Sequence, residues 1–207
     1  MPVIALEQAK DAAPLADALL SGGIPLVEIT FRTAAALEAI RSLTRERPGL
    51  LVGAGTVLTK ENLQSAVQAG ARFAVAPGLN PALVRFAAEL GIAFIPGVAT
   101  PSEVERALSL GCYTLKFFPA ELLGGVAMLN ALFAPYGHTG VKFIPTGGVT
   151  PSNLESYLNC KAVAAVGGTW LAKKDDVAQG NWDGIRNQCA AAVETVRRVR
   201  AAQKGAR

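Results

Sequence analysis

A chain of 207 residues, half of them apolar but only 6% aromatic, is long enough for one large domain with a substantial core. No apolar run reaches the ~18–20 residues that cross a membrane, and the three cysteines (Cys112, Cys160, Cys189) form neither a disulfide framework nor a C-x-x-C metal motif. The single histidine, His138, sits in a glycine-flanked loop and argues against a multi-His zinc centre and a Ser-His-Asp hydrolase alike. The net charge of +4 suits an anionic metabolite, yet much of the excess lies at Arg197, Arg198, Arg200, Lys204 and Arg207, as expected for a solvated helix end. No basic stripe for nucleic acid is evident.

The chain opens on Met1-Pro2-Val3-Ile4-Ala5-Leu6, which has neither the charged n-region nor the apolar h-region of a signal peptide. A cytoplasmic protein is expected, its cysteines being small buried hydrophobes in a reducing compartment. Short β-branched runs then alternate with Ala- and Leu-rich helical runs. Strands are expected near 3–6, 26–30, 51–55, 73–76, 93–96, 113–117, 142–145 and 163–167. Helices between them stop at Gly22-Gly23, Pro48-Gly49, Gly70, Gly91 and Gly111. Others start at the caps Thr59, Asn80-Pro81, Thr100-Pro101 and Thr150-Pro151. Asn181-Trp182-Asp183 opens a final helix running to about Ala202. Strand followed by helix, eight times over, predicts an α/β chain folded as a single (β/α)8 TIM barrel with a C-terminal helix, one domain spanning 1–207. An open doubly wound sheet would want a glycine-rich loop after the first strand, and Leu6-Glu7-Gln8-Ala9-Lys10 is not one.

In such a barrel the chemistry sits where strands end and helices begin. The second strand carries Glu28 on the same face as Leu26 and Thr30. A carboxylate in that company is poorly hydrated, so its pKa rises and it can shuttle protons near neutrality; the alternative is a structural pair with a buried cation. Arg32 follows, placed either to clamp a carboxylate in bidentate fashion or to make a surface salt bridge. Gly53-Ala54-Gly55-Thr56 ends the third strand with room for a ligand and one hydroxyl. Ala76-Pro77-Gly78 and Phe94-Ile95-Pro96-Gly97 end the next two, as turn chemistry or as substrate contacts.

The sixth strand holds the most informative stretch, Leu115-Lys116-Phe117-Phe118-Pro119-Ala120. An ammonium amid apolar neighbours loses hydration, so burial favours the neutral amine, a nucleophile toward ketones. The alternatives for Lys116 are a snorkelling surface charge or a point charge for phosphate. Thr114, Lys116 and Phe118 share one strand face; if that face points inward, the amine can approach Glu28. Two glycine pairs, Gly147-Gly148 after Thr146 and Gly167-Gly168 before Thr169, free backbone N–H groups at the ends of the seventh and eighth strands. That is a cradle for an anion, where phosphate usually sits in these barrels.

These stretches together resemble the class I aldolases that cleave 2-keto-3-deoxy-6-phosphogluconate (KDPG), grouped with the 4-hydroxy-2-oxoglutarate (KHG) aldolases. The resemblance rests on Glu28-Ile29-Thr30-Phe31-Arg32-Thr33, Gly53-Ala54-Gly55-Thr56-Val57-Leu58, Leu115-Lys116-Phe117-Phe118-Pro119-Ala120-Glu121 and Pro145-Thr146-Gly147-Gly148. It implies Lys116 as the Schiff-base lysine and Glu28 as the proton carrier. It further implies Arg32 and Thr56 at the pyruvyl carboxylate, with Pro77 and Phe118 lining the pocket and Thr146 at the aldehyde end. Gly147, Gly148, Gly167, Gly168 and Thr169 would receive the phosphate. It implies no metal or organic cofactor, 2-keto acid and sugar-phosphate substrates, and a homotrimer. Rival readings are an aldolase for the 6-phosphogalactonate epimer and a noncatalytic sugar-phosphate-binding barrel. Thr169 stands where the family commonly has serine, and Ala76 replaces a common serine before Pro77-Gly78. The chain also starts closer to its first strand than some members do.

Overall fold

The computed structural model describes residues 1–205. Parallel strands β1 (Val3–Ile4), β2 (Leu26–Thr30), β3 (Leu51–Gly55), β4 (Phe73–Val75) and β5 (Ala93–Ile95) form one sheet in that order. A second parallel sheet joins β6 (Gly97–Val98), β7 (Thr114–Phe117) and β8 (Lys142–Pro145). The two halves close into the expected α/β barrel at two seams. At the first, the predicted fifth strand is cut at Pro96, which has no N–H to give a ladder; its carbonyl still accepts from Lys116 N–H at 2.8 Å. At the second, the predicted eighth strand is only a pair of isolated bridges, Phe143↔Val163 and Pro2↔Gly168. Gly167 N–H reaches Pro145 O at 2.9 Å and Val3 N–H reaches Gly168 O at 3.1 Å, so this irregular segment ties β8 to β1. Its small residues, Ala164, Ala165, Gly167 and Gly168, offer little cross-strand packing to hold a regular ladder.

Helices α1 (Ala12–Ser21), α2 (Ala36–Glu46), α3 (Lys60–Gln68), α4 (Pro81–Glu89), α5 (Pro101–Ser109), α6 (Gly125–Phe133) and α7 (Leu154–Asn159) follow their strands around the outside. The predicted caps hold at three of four. Thr59 accepts from Asn62 N–H at the start of α3, Asn80 from Ala82 N–H at α4, and Thr100 builds a reciprocal capping box with Glu103 at α5. Thr150-Pro151 opens only a turn, and α7 begins at Leu154 after Asn153, whose side chain accepts from Thr150 N–H at 2.8 Å. Between the irregular closing segment and the last helix lies a short α8 (Lys174–Ala178) that the sequence pattern did not reveal.

The last helix, α9 (Trp182–Gly205), packs on α1 and α7 through buried Ile185, Cys189, Ala192 and Val199. Gly22 at the end of α1 makes this fit possible, because a Cβ there would lie 2.5 Å from Cys189 Cβ. Burial pushes the Cys189 thiol up to about 11, which keeps it an inert core residue. Cys160 is also buried and Cys112 partly so, all three with free thiols. His138 lies in a short 3-10 turn, Gly137–Thr139. Of the C-terminal cations, Arg198 pairs with Glu155 at 2.8 Å, while Arg207 lies outside the described residues. No described helix is long and apolar enough to cross a membrane.

Alternation along the strands positions the site. Val27 and Ile29 of β2, and Leu115 and Phe117 of β7, are wholly buried in the hydrophobic core. The intervening Glu28, Thr30 and Lys116 face the barrel interior and are the principal buried polar groups of these strands.

Candidate active site

Glu28 and Lys116 come from strands that are not neighbours, so they meet across the barrel rather than along a sheet. Lys116 Nζ lies 3.3 Å from Glu28 Oε1, with Lys116 6% exposed and Glu28 fully buried. The same ammonium sits 5.5 Å from the centroid of the Phe118 ring, over its face. Glu28 Oε2 has no hydrogen-bond partner among the described residues. Burial raises the Glu28 carboxyl above its ordinary range; the attraction and hydrogen bond of Lys116, then the charge of Arg32, pull against that rise.

The sequence accommodates this carboxylate at one backbone point. Thr30 of β2 pairs with Gly55 of β3, and a Cβ on Gly55 would lie 2.2 Å from Glu28 Oε1. Only the missing side chain leaves space for the acid. One residue on, Thr56 holds φ at 54°, a left-handed conformation uncommon for a residue other than glycine. Backbone strain of this kind concentrates at functional sites. Arg32 Nε donates to Thr30 Oγ1 at 3.1 Å, and Thr30 Oγ1 donates to Ile4 O at 3.1 Å. The guanidinium is thus held at Nε, and its two terminal nitrogens have no acceptor among the described residues.

Glu28, Arg32, Thr56, Pro77, Lys116, Phe118, Thr146, Gly147, Gly148, Gly168 and Thr169 all line one cavity of about 120 Å³. Of the predicted site residues only Gly167 is off its wall. A Cβ on Gly167 would lie 2.3 Å from Thr146 Oγ1, so this glycine makes room for the threonine hydroxyl while its N–H is spent on Pro145 O. Gly168 N–H is likewise spent, on Met1 O at 3.1 Å. The N–H groups of Gly147, Gly148 and Thr169 have no protein acceptor among the described residues, and neither has that of Val149. Gly147 and Gly148 stand at φ of 96° and 82°, a run of left-handed peptides that side chains resist. Val149, Thr30 and Val3 also line the cavity and were not singled out from the sequence. The alternation that flagged Glu28 could have flagged Thr30; Val3 and Val149 carry no local signal beyond their strand ends.

A chamber of about 120 Å³ lined by a buried amine–carboxylate pair, by Arg32 and by loop residues whose N–H groups have no acceptor among the described residues suits a small ketone bearing two anionic groups. No cluster of three or more His, Cys, Asp or Glu side chains is placed to hold a metal ion among the described residues.

Comparison with known proteins agrees with that chemistry. The family model for KDPG and KHG aldolase matches residues 1–188. The 2-dehydro-3-deoxy-phosphogluconate aldolase of Treponema pallidum is 48% identical over 185 residues, covering 89% of this chain and 87% of the relative. The KHG/KDPG aldolase of Escherichia coli is 42% identical, covering 94% of this chain and 90% of its own. Among solved structures, the KDPG aldolase of Legionella pneumophila, with pyruvate captured as a covalent carbinolamine, superposes with a TM-score of 0.89 at 42% identity, covering 92% of each chain. With the family model matching residues 1–188 and relatives more than 40% identical over most of the chain, the chain belongs to the KDPG and KHG aldolase family.

Proposed function

We propose that this chain is a class I aldolase that reversibly cleaves KDPG to pyruvate and glyceraldehyde 3-phosphate through a Schiff base on Lys116. The observation that carries the reading is the buried contact of 3.3 Å between Lys116 Nζ and Glu28 Oε1, with Glu28 Oε2 left free. A proton passing from the ammonium to Oε1 leaves a neutral amine, and the upward displacement of the Glu28 pKa makes that transfer less uphill.

The amine then attacks the C2 ketone, forming a C–N bond and a carbinolamine. Glu28 returns a proton to the departing hydroxyl, water leaves, and a cationic imine remains. The Glu28 carboxylate next takes the proton of the C4 hydroxyl. The C3–C4 electron pair moves into the imine, the bond breaks, and glyceraldehyde 3-phosphate departs from an enamine. Glu28 protonates C3 of the enamine, and water hydrolyses the resulting imine to pyruvate and free Lys116. Arg32 and Thr56 hold the carboxylate beside C2, Pro77 and Phe118 wall the pocket, and Thr146 meets the aldehyde end. The phosphate rests on the free N–H groups of Gly147, Gly148, Val149 and Thr169, with Gly167 and Gly168 shaping the loop behind them.

KHG, cleaved to pyruvate and glyoxylate, is a second substrate for the same pyruvyl site. Three free thiols and a chemistry of soluble metabolites support a cytoplasmic enzyme, and the family resemblance supports a homotrimer, which light scattering would measure. Incubation with pyruvate and borohydride, followed by peptide mass spectrometry, tests the central step. A reduced pyruvyl adduct on Lys116 is expected; a folded protein without one would leave a phosphate-binding barrel as the better reading.

A further inference from the structure

The loop that offers its N–H groups to the cavity has all three of its preceding carbonyls tied down. Ala120 N–H donates to Thr146 O at 2.9 Å, Glu121 N–H to Gly147 O at 3.0 Å, and Asn153 Nδ2 to Gly148 O at 3.2 Å. Two of these three donors belong to the turn that follows Lys116, so the phosphate cradle and the nucleophile's strand share one support.

Glu121 does more than lend its N–H. Its side-chain stem underlies Gly148, where an added Cβ would lie 2.5 Å from Glu121 Cβ and 2.6 Å from Cγ. Its carboxylate accepts a hydrogen bond from the Tyr157 hydroxyl. Gly125 at the head of α6 closes over both, an added Cβ there lying 3.0 Å from Glu121 Oε1 and 3.3 Å from the Tyr157 oxygen. The Tyr157 ring is fully buried on α7, the helix that Asn153 opens. Burial and the neighbouring carboxylate push the Tyr157 phenol up, so it remains a donor at any working pH. Glu121 does not line the cavity; held by the tyrosine, it stays away from where a phosphate would rest. A carboxylate released toward the cradle would instead meet the dianion as a like charge.

We infer that Glu121 and Tyr157 are positioning residues for the substrate's phosphate, the buried hydroxyl fixing through Glu121 the backbone on which the Gly147–Val149 N–H groups converge. This rests on the phosphate reading above and extends it to two residues outside the cavity.

The test compares KDPG with its unphosphorylated counterpart, alongside exchange of pyruvate methyl protons with deuterated solvent, which needs Lys116 and Glu28 but no phosphate. Tyr157→Phe keeps the buried ring and deletes the hydroxyl. It is expected to raise KM for KDPG roughly 10–100-fold, the range for losing a hydrogen bond to a charged group. Its kcat, its pyruvate exchange and its KM for the unphosphorylated substrate should stay within about twofold of wild type. Glu121→Ala, at an exposed turn position, provides a second variant with the same expected selectivity should Tyr157→Phe fold poorly. Glu121→Gln retains an acceptor for the tyrosine and should keep most of the wild-type KM. Equal losses on both substrates and on exchange would reduce the pair to general scaffolding and overturn the proposal, as would an unchanged KM for KDPG. A wild-type enzyme indifferent to the phosphate would overturn the phosphate reading, and this inference with it.

Discussion

Replacing Gly55 by alanine adds one methyl group at the point where β3 faces the catalytic acid. The new Cβ would lie 2.2 Å from Glu28 Oε1, 2.6 Å from Cγ and 2.7 Å from Cδ. Because Cγ is struck as well as the carboxylate, rotation of the terminal group alone does not relieve the clash. Glu28 is fully buried, and its stem must move by about 1 Å to clear the methyl, a misplacement that can cost ~10²-fold in rate. That movement is large against the 3.3 Å contact with Lys116. Overpacking of a tight interior costs about 1–3 kcal/mol, equivalent to a fall of about 2–12 °C in Tm for a chain of this size. We expect Gly55→Ala to lower kcat/KM for KDPG roughly 100-fold, read as pyruvate release in a coupled assay. Gly53→Ala is the comparison, since its Cβ would strike the Phe73 ring at 2.2 Å and leave the acid alone; it should lose stability with far less loss of imine chemistry. A Gly55→Ala enzyme within threefold of wild-type kcat/KM would refute the claim that this glycine sets the acid's position.

Lys116→Met removes the nucleophile and should abolish turnover and the borohydride-trapped adduct; circular dichroism and Tm should show the fold retained, because the uncompensated Glu28 can take up a proton. Glu28→Gln should slow cleavage by about 10²–10⁴-fold, the usual worth of a general acid–base group, while the pyruvate adduct still accumulates in mass spectra. The acid limb of the kcat/KM profile should lie above the 4.5 of an ordinary glutamate, since burial raises Glu28 and the base works only when ionised; the limb should vanish in Glu28→Gln, and a limb at or below 4.5 would exclude Glu28 as the titrating group. Thr30→Val deletes the hydroxyl that steadies Arg32 Nε at 3.1 Å. It should raise KM for KDPG about 2–10-fold, a net hydrogen bond's worth, with Thr30→Ser restoring it.

The local content of this molecule was written in residue pattern. Strand and helix periods, three of the four helix caps and the strand faces that Glu28 shares with Thr30 and Lys116 with Thr114 and Phe118 depend on neighbours a few positions away, and such interactions survive reading one residue at a time. Chemistry also showed locally, because a lysine amid Leu115, Phe117 and Phe118 is costly unless it does something. Other features belong to the closed barrel. Pro96 splits a strand, Thr150 yields the start of α7 to Leu154, and α8 forms without a clear periodic signal. Which loop N–H groups remain free depends on acceptors far along the chain: Pro145 O and Met1 O take those of Gly167 and Gly168, leaving those of Gly147, Gly148, Val149 and Thr169 without an acceptor among the described residues. The contact between Glu28 and Lys116 joins residues 88 positions apart, and the Tyr157 bond to Glu121 spans 36. Sequence determined which groups could react; the closure of the barrel decided their distances and desolvation, because burial and directed hydrogen bonds arise only when remote segments exclude water together.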